Sequence, residues 1–168
     1  MYEIASESPF ALLSDDETRA WYAYMKVNLR LRYEMNRQLR ADHGLSLADF
    51  DVLVALISDE QTTLSVSDLA IRIGWERSRV SHQVRRMADR ALVETTVSEA
   101  DKRVTVVSLT PAGRDTLAAA SRSHVALVRR MFLDTLDSRS ARQIALLFEQ
   151  IYDNLITHGT LPRPADHP

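Results

Sequence analysis

Residues 74–87, GWERSRVSHQVRRM, contain the densest group of side chains in this chain that can bind a polyanion. Residues 77–90 hold five arginines and one acid, Asp89, which gives them a net charge of +4 in a chain whose formal net charge is −2. Guanidinium, hydroxyl and imidazole groups all donate hydrogen bonds to phosphate oxygens and to the edges of bases. A local basic patch on a mildly acidic protein indicates a specific polyanionic partner rather than general attraction to anions.

A helix over residues 76–90, at about 100° per residue, separates this segment into two faces. The apolar residues, which we expect to pack on the preceding helices, are Val80, Val84, Met87 and Ala91. The polar residues of the opposite face and its flanks are Arg77, Ser78, Arg79, Ser81, His82, Arg85, Arg86 and Asp89. A helix about 10–12 Å wide with such a face fits the major groove of DNA. Merely solvated helix faces have the same pattern, so this segment alone leaves both interpretations open.

A second candidate lies in the polar turn SEADKR, residues 98–103. Asp101 and Arg103 are two residues apart, so we expect their side chains on the same side of the chain. A carboxylate can hold a guanidinium in place, and an arginine so held can enter a narrow minor groove, where negative potential is strongest. By itself this spacing is equally compatible with an ordinary surface turn.

Four helices are predicted to precede that turn. A capping-box pattern at Ser14 and Glu17 begins a first helix that runs to about Asp42 and is roughly 40 Å long at 1.5 Å per residue. Its apolar residues spread over more than one face, so it needs more than one neighbour, one of which we place in a second subunit. The second and third helices begin at Ser46 and Ser65, and the arginine-rich helix is the fourth.

The segments LVETTV at 92–97 and VTVVSL at 104–109 predict a β-hairpin. Thr110-Pro111 then starts a fifth helix, and the last helix repeats apolar residues at i, i+3, i+4, i+7 and i+11. We therefore predict a mainly α-helical fold with a small β-hairpin wing. Its winged helix-turn-helix domain spans 46–109, and a helical dimerisation region is formed by 1–45 and 110–168.

The composition excludes several kinds of site. The chain has no cysteine, which excludes disulfides, thiolate metal sites and thiol redox sensing. The five histidines form no metal-spaced cluster, and no nucleophile motif, glycine-rich phosphate loop or carboxylate pair stands out, so we expect no enzyme activity, metal or cofactor. The longest apolar run, residues 52–57, is too short to cross a membrane, and the amino terminus lacks the features of a secretion signal. We expect a cytoplasmic protein without a membrane partner.

Residues 64–117 resemble the DNA-binding core of the MarR family of bacterial transcriptional regulators. The resemblance rests on the helix-turn-helix, the D-x-R wing of Asp101 and Arg103, and SLTPAGR at 108–114, which occur in the order and at the spacing of that family. It implies a homodimer that binds a palindromic operator in double-stranded DNA, with recognition helices in successive major grooves and half-sites roughly 10 bp apart. It also implies a repressor that a small aromatic or anionic effector releases from DNA.

The resemblance carries DNA contact over to nine residues of this chain: Arg77, Ser78, Arg79, Ser81, His82, Arg85, Arg86, Asp101 and Arg103. Three features depart from the family pattern. Ala91 stands where glycine often ends the recognition helix, so we expect the usual left-handed residue to be missing there. Glu76 is a poor helix cap, and the first wing strand reads ETT rather than a basic run.

An effector of the family kind would lodge between the dimer base and the DNA-binding lobe. The candidates to line such a space are Trp21, Tyr24, Met25 and Asp51. Aromatic residues at helical spacing are more often core or dimer-interface residues, so we assign no pocket. Two other function classes remain: an enzyme, for which no motif is present, and a winged-helix protein-interaction module, whose exposed face would more often be apolar or acidic than basic.

Overall fold

The computed structural model describes residues 7–165 of the chain. Within that range six α-helices and one small sheet follow each other in the predicted order. The helices are α1 Asp15–His43, α2 Leu47–Ile57, α3 Val66–Ile73, α4 Arg77–Ala88, α5 Pro111–Met131 and α6 Ser138–His158. The strands are β1 Thr63–Ser65, β2 Val93–Val97 and β3 Thr105–Leu109. Short 3₁₀ turns at Pro9–Leu12 and Leu133–Thr135 lie before α1 and between α5 and α6.

Local hydrogen bonds explain why the helices begin and end where they do. Ser14 and Glu17 form a reciprocal capping box on α1, and Ser46 and Asp49 form another on α2. Gly44 ends α1 and Gly74 ends α3, each in the left-handed conformation. The observed helix starts agree with those predicted from sequence. They were predictable because each cap depends on residues only a few positions apart.

The sheet contains one strand that the sequence analysis did not predict. β2 and β3 form the expected hairpin, with Val93 opposite Leu109 and Val97 opposite Thr105. β1 pairs antiparallel with the other edge of β3, giving the order β1-β3-β2. A three-residue strand is too short to show an alternating pattern, so its existence depends on the partner strand.

The buried core belongs almost entirely to the middle of the chain. Its fully buried side chains include Leu53 and Leu56 of α2, Leu69 of α3, Met87 of α4 and Val107 of β3. The long α1 contributes only Thr18 and Leu39 as buried residues, and α6 contributes none. One chain therefore has a packed winged helix-turn-helix domain and long helices that are largely uncovered.

Thr110 and Gly113, at the start of α5, contact the residues that follow α4. The Thr110 hydroxyl donates to the Ala91 carbonyl oxygen at 2.7 Å and accepts from the Gly113 N–H at 2.9 Å. A Cβ at Gly113 would lie 2.0 Å from the Leu92 carbonyl oxygen, so only glycine permits this close approach. These contacts hold the first turn of α5 against the chain that follows α4.

Ala91 corrects two expectations. It is exposed rather than part of the buried face of α4, and its φ of 55° is left-handed although it is not glycine. The turn after α4 therefore keeps the left-handed residue that we expected to be missing. The helix ends at Ala88, so the periodicity of the apolar face does not extend to position 91.

Replacing Ala91 by glycine should stabilise the protein by about 1 kcal/mol, because glycine removes the steric cost of a Cβ in the left-handed region. Urea unfolding at a fixed protein concentration measures this effect. The matched control is Ala118→Gly on the exposed side of α5, which should cost about 1 kcal/mol. A loss of stability in Ala91→Gly would contradict the observed backbone conformation.

Candidate nucleic-acid interface

Helix α4 separates apolar from polar residues as its sequence predicts. Val80, Val84 and Met87 are buried against the core. The first-turn residues Arg77 and Ser78 are exposed, and so are the residues that follow them on the outer side of the helix, His82 and Arg85. Ser81 is partly buried, and its hydroxyl donates to the Arg77 carbonyl oxygen at 3.0 Å. Solvent therefore reaches an outer face of α4 that carries two arginines, a serine and a histidine.

The amino terminus of α4 offers backbone donors as well. Glu76 occupies the cap position without a side-chain hydrogen bond to the first turn, as its poor capping ability predicts. The first N–H groups of an α-helix have no partner within the helix, and together with the helix dipole they favour an anion. In α4 these donors lie in the same first turn as the exposed residues Arg77 and Ser78.

The two remaining arginines of the predicted site lie on the flank of α4 that faces α2. Arg79 and Arg86 share this flank with Gln83 and Arg90, at spacings of three and four residues. The Arg79 guanidinium carbon lies 3.9 Å from the centroid of the Trp75 ring, which is a cation–π contact. Arg86 donates a short hydrogen bond to the Gln83 side-chain oxygen.

A buried polar network that the sequence analysis missed joins this flank to α2. Gln83 is 3% exposed, and its amide nitrogen donates to the Asp49 carboxylate at 2.5 Å. Arg90 donates to the other carboxylate oxygen at 3.0 Å and to the Gly44 carbonyl oxygen at 2.9 Å. Asp49 is 4% exposed, and a buried carboxylate needs hydrogen-bond partners. Gln83, Arg90 and the Ser46 N–H supply them. One signal was available, because Gln83 is a polar residue at an apolar position of the helical pattern.

The wing presents Arg103 at an exposed position between β2 and β3. Asp101 accepts a hydrogen bond from the Arg103 backbone N–H at 2.9 Å, and the Val104 N–H donates to the Asp101 carbonyl oxygen at 2.9 Å. Asp101 thus shapes the turn through the backbone, whereas we had predicted that it would hold the guanidinium. Across residues 7–165 the recorded ion pairs do not include one between these two side chains.

A second group of charged residues lies where α1, α2 and α5 meet. Arg32 donates to Asp51 at 3.3 Å, and burial raises the pKa of that carboxyl while the Arg32 charge opposes the shift. The His124 ring packs on Phe50 in a tilted arrangement, with a centroid distance of 4.3 Å. Burial also lowers the pKa of His124, with the Asp51 charge acting in the opposite direction, so burial favours the neutral imidazole.

The structure does not bring the four candidate effector residues together within one chain. Trp21 and Tyr24 contact each other with ring centroids 5.5 Å apart, and both are more than two-fifths exposed. Asp51 contacts α1 through Arg32, which is roughly 12–16 Å further along a helix that rises 1.5 Å per residue. Met25 lies beside the two aromatic residues in sequence. These three residues and Asp51 therefore occupy different regions of the protomer.

The described part of the chain offers no support for two other kinds of site. Among residues 7–165, no three histidines or acidic residues are placed so that they would hold a metal ion. In that same range, no helix combines the length and the apolar character that a bilayer-spanning segment needs.

Two comparisons with known proteins, one with family sequence models and one with solved structures, place this geometry in a family. The sequence model of the MarR family matches residues 43–104, which contain α2, α3, α4 and the wing turn. AbsC of Streptomyces coelicolor, a MarR family transcriptional regulator, is 32% identical over 87% of this chain and 98% of its own, with a TM-score of 0.81. The chain belongs to the MarR family of transcriptional regulators. It is a regulator rather than an enzyme, and the fold class predicted from sequence is confirmed.

Two further MarR-fold structures are informative. Sco3205 of Streptomyces coelicolor, solved in complex with DNA, is 26% identical over 90% of this chain and 95% of its own, with a TM-score of 0.83. CouR of Rhodococcus jostii RHA1, solved with bound p-coumaroyl-CoA, shares the fold at 19% identity over 84% of this chain and 93% of its own, with a TM-score of 0.69. The comparison with curated protein sequences gives no match.

Proposed function

We propose that this MarR family member is a homodimeric repressor that binds a palindromic operator. The observation that carries the proposal is the exposed outer face of α4, where Arg77, Ser78, His82 and Arg85 lie together on a helix of major-groove width. Two such helices related by a twofold axis would read half-sites roughly one helical turn apart. A dimer that covers both half-sites would block a promoter overlapping its operator.

The residues of the interface divide by position. The outer face of α4, together with the partly buried Ser81 beside it, is directed at base edges, where arginine can bind guanine through two hydrogen bonds. Arg79 and Arg86 lie on the flank of α4 and are directed at the phosphates of the groove wall. Arg103 enters the adjacent minor groove, and Asp101 supports it by shaping the wing turn. The basic character of this face favours DNA over a protein partner.

The proposed dimer follows from the apolar surface that one chain leaves uncovered. Exposed apolar side chains of α6 include Leu147, Ile151 and Leu155, and those of α1 include Leu29 and Tyr33. An open groove of about 530 Å³ between α1 and the end of α5 is lined largely by apolar side chains. A helix whose apolar stripe has no neighbour within the protomer indicates an interaction surface. We therefore assign residues 1–45 and 110–168 to dimerisation and residues 46–109 to DNA binding.

A small aromatic or anionic effector is proposed to release the repressor. The structure of CouR with bound p-coumaroyl-CoA, a ligand that is both aromatic and anionic, supports this proposal. Such a ligand need only favour a spacing of the two DNA-binding lobes that mismatches the operator. About 1.4 kcal/mol of differential binding is required per tenfold change in DNA affinity.

Selection of bound fragments from random duplex DNA by the purified protein tests the proposal. We expect recovery of an imperfect palindrome, and binding to it should weaken steeply with salt concentration. A stably monomeric protein, or equal binding to all duplexes at low salt, would overturn the proposal. Addition of aromatic acids to the operator complex tests the effector separately.

Replacing Arg103 by alanine should weaken operator binding about tenfold, because it removes the proposed contact with the minor groove. Thermal stability should not change, because the side chain lies at an exposed wing tip. Fluorescence anisotropy with the selected operator measures the affinity. The matched control is Lys102→Ala, which removes a neighbouring positive charge and should cost less. Equal losses in the two variants would mean that the wing contributes charge alone.

A further inference from the structure

Gln83 is a polar side chain in the middle of the buried face of α4. Its amide lies between the Asp49 carboxylate of α2 and the Arg86 guanidinium of its own helix. A buried amide in a recognition helix costs free energy unless its donor and acceptor both find partners. Here both ends are satisfied, so the side chain connects a fixed group of the core to an exposed group at the surface.

The chemistry of the two partners determines which way the amide points. A carboxylate only accepts hydrogen bonds, so the Gln83 nitrogen must face Asp49. A guanidinium only donates, so the Gln83 oxygen must face Arg86. The opposite orientation would place the amide oxygen against the Asp49 carboxylate, an acceptor against an acceptor, and the amide NH₂ against the Arg86 guanidinium, a donor against a donor. Asp49 is itself held by Arg90 and by the Ser46 N–H, so the whole chain of contacts has one stable arrangement.

We propose that Gln83 is a positioning residue for DNA binding. It holds the Arg86 guanidinium in the place where this group meets a phosphate of the DNA backbone, and this inference rests on the proposed function. Arg86 lies in the last turn of α4, on the flank that would face the groove wall in the proposed complex. A free arginine loses rotamer entropy when it binds phosphate, whereas a guanidinium already ordered by a neighbour loses less. Gln83 would then raise affinity without touching DNA.

Arg85 provides the internal comparison. It is adjacent in sequence, exposed and of the same type, yet no side chain in the described part of the chain is recorded as a hydrogen-bond or ion-pair partner for it. If burial of Gln83 served only the packing of α4, a change at Gln83 would affect contacts by Arg85 and Arg86 alike. If Gln83 positions Arg86, the effect must depend on Arg86 alone.

A double-mutant cycle on full-length protein with the selected operator tests the inference. Gln83→Met keeps the side-chain volume and removes both hydrogen bonds. We expect it to weaken binding about fivefold in the wild-type and in the Arg85→Ala background, and to have no further effect in the Arg86→Ala background. It should also reduce the dependence of affinity on salt.

The same loss in the Arg86→Ala background, or tighter binding by Gln83→Met, would overturn the inference. Both outcomes leave the proposed function standing, since wild-type protein still selects its operator. If wild-type protein selects no sequence, the proposed function fails, and the inference fails with it. If Arg86→Ala binds as well as wild type, only the inference fails.

A measurement on the wild-type protein keeps the inference testable should Gln83→Met not fold. Side-chain ¹⁵N relaxation of the arginine Nε groups, recorded without DNA, reports how ordered each guanidinium is. We expect the Arg86 group to be more ordered than the Arg85 group. Equal mobility of the two groups would overturn the proposed positioning role, because a Gln83 that only packs α4 on α2 would not order Arg86.

Discussion

The double substitution Leu147→Glu and Ile151→Glu on α6 is expected to give a folded monomer whose affinity for the operator falls at least about a hundredfold. Both side chains are uncovered in the single chain, with 56% and 53% of their surface exposed, so charges there cost little in the protomer. In the proposed dimer the same positions are buried, and a carboxylate in an apolar interface has no partner.

The loss of affinity follows from the loss of bivalency. Once one half-site is bound, the second recognition helix of a dimer is held near its own half-site at a high effective concentration. A monomer must bind each half-site independently. Analytical ultracentrifugation measures the oligomeric state, and anisotropy with the selected operator measures the affinity.

The matched control is Gln150→Glu, which adds one negative charge to α6 at an exposed position that is already polar. This variant should remain dimeric and should bind the operator nearly as well as wild type. If the double variant is dimeric, α6 does not form the interface that we propose. If the double variant is monomeric but binds normally, bivalency does not contribute to operator binding.

Replacement of Asp49 by alanine is expected to lower the free energy of unfolding by about 3 kcal/mol, because it removes the capping box of α2 and leaves the Gln83 amide without its acceptor. Removing one partner of a fully buried ion pair would lower stability by more than this. Here the remaining partner, Arg90, is 44% exposed, so its guanidinium can be hydrated once Asp49 is gone. For a protein of this size the melting temperature should fall by roughly 6–12 °C.

Asp68→Ala is the matched control for this substitution. Asp68 occupies the same third helical position in α3 and accepts from the Ser65 hydroxyl at 2.6 Å, but it is exposed. Its loss should cost less than about 1 kcal/mol. Thermal unfolding of both variants at one protein concentration separates the capping contribution from the buried network. Equal losses would mean that the contacts of Asp49 with Gln83 and Arg90 do not stabilise the fold.

The boundaries of the helices and the hairpin could be predicted from the sequence because they depend on neighbours a few residues away. Ser14, Ser46 and Ser65 cap helices, and Gly44 and Gly74 end them, through contacts that span no more than a helical turn. The exposed and buried faces of α4 follow from its periodicity in the same way. The family was inferred from the resemblance of residues 64–117, which includes the wing residues Asp101 and Arg103 and the segment SLTPAGR at 108–114, and not from these local signals alone.

The tertiary structure decided the features that depend on residues distant in sequence. β1 exists because β3 pairs with it, and Ala91 is left-handed because the chain must turn from α4 into the wing. The amide of Gln83 is 34 positions from its carboxylate partner Asp49, and no local pattern relates the two. Periodicity also assigned Arg86 to the same polar face as Arg85, although its hydrogen bond to Gln83 draws it to the flank that faces α2. A sequence pattern specifies which face of a helix is polar, whereas only the neighbouring helix determines which polar groups it engages and which remain available to DNA.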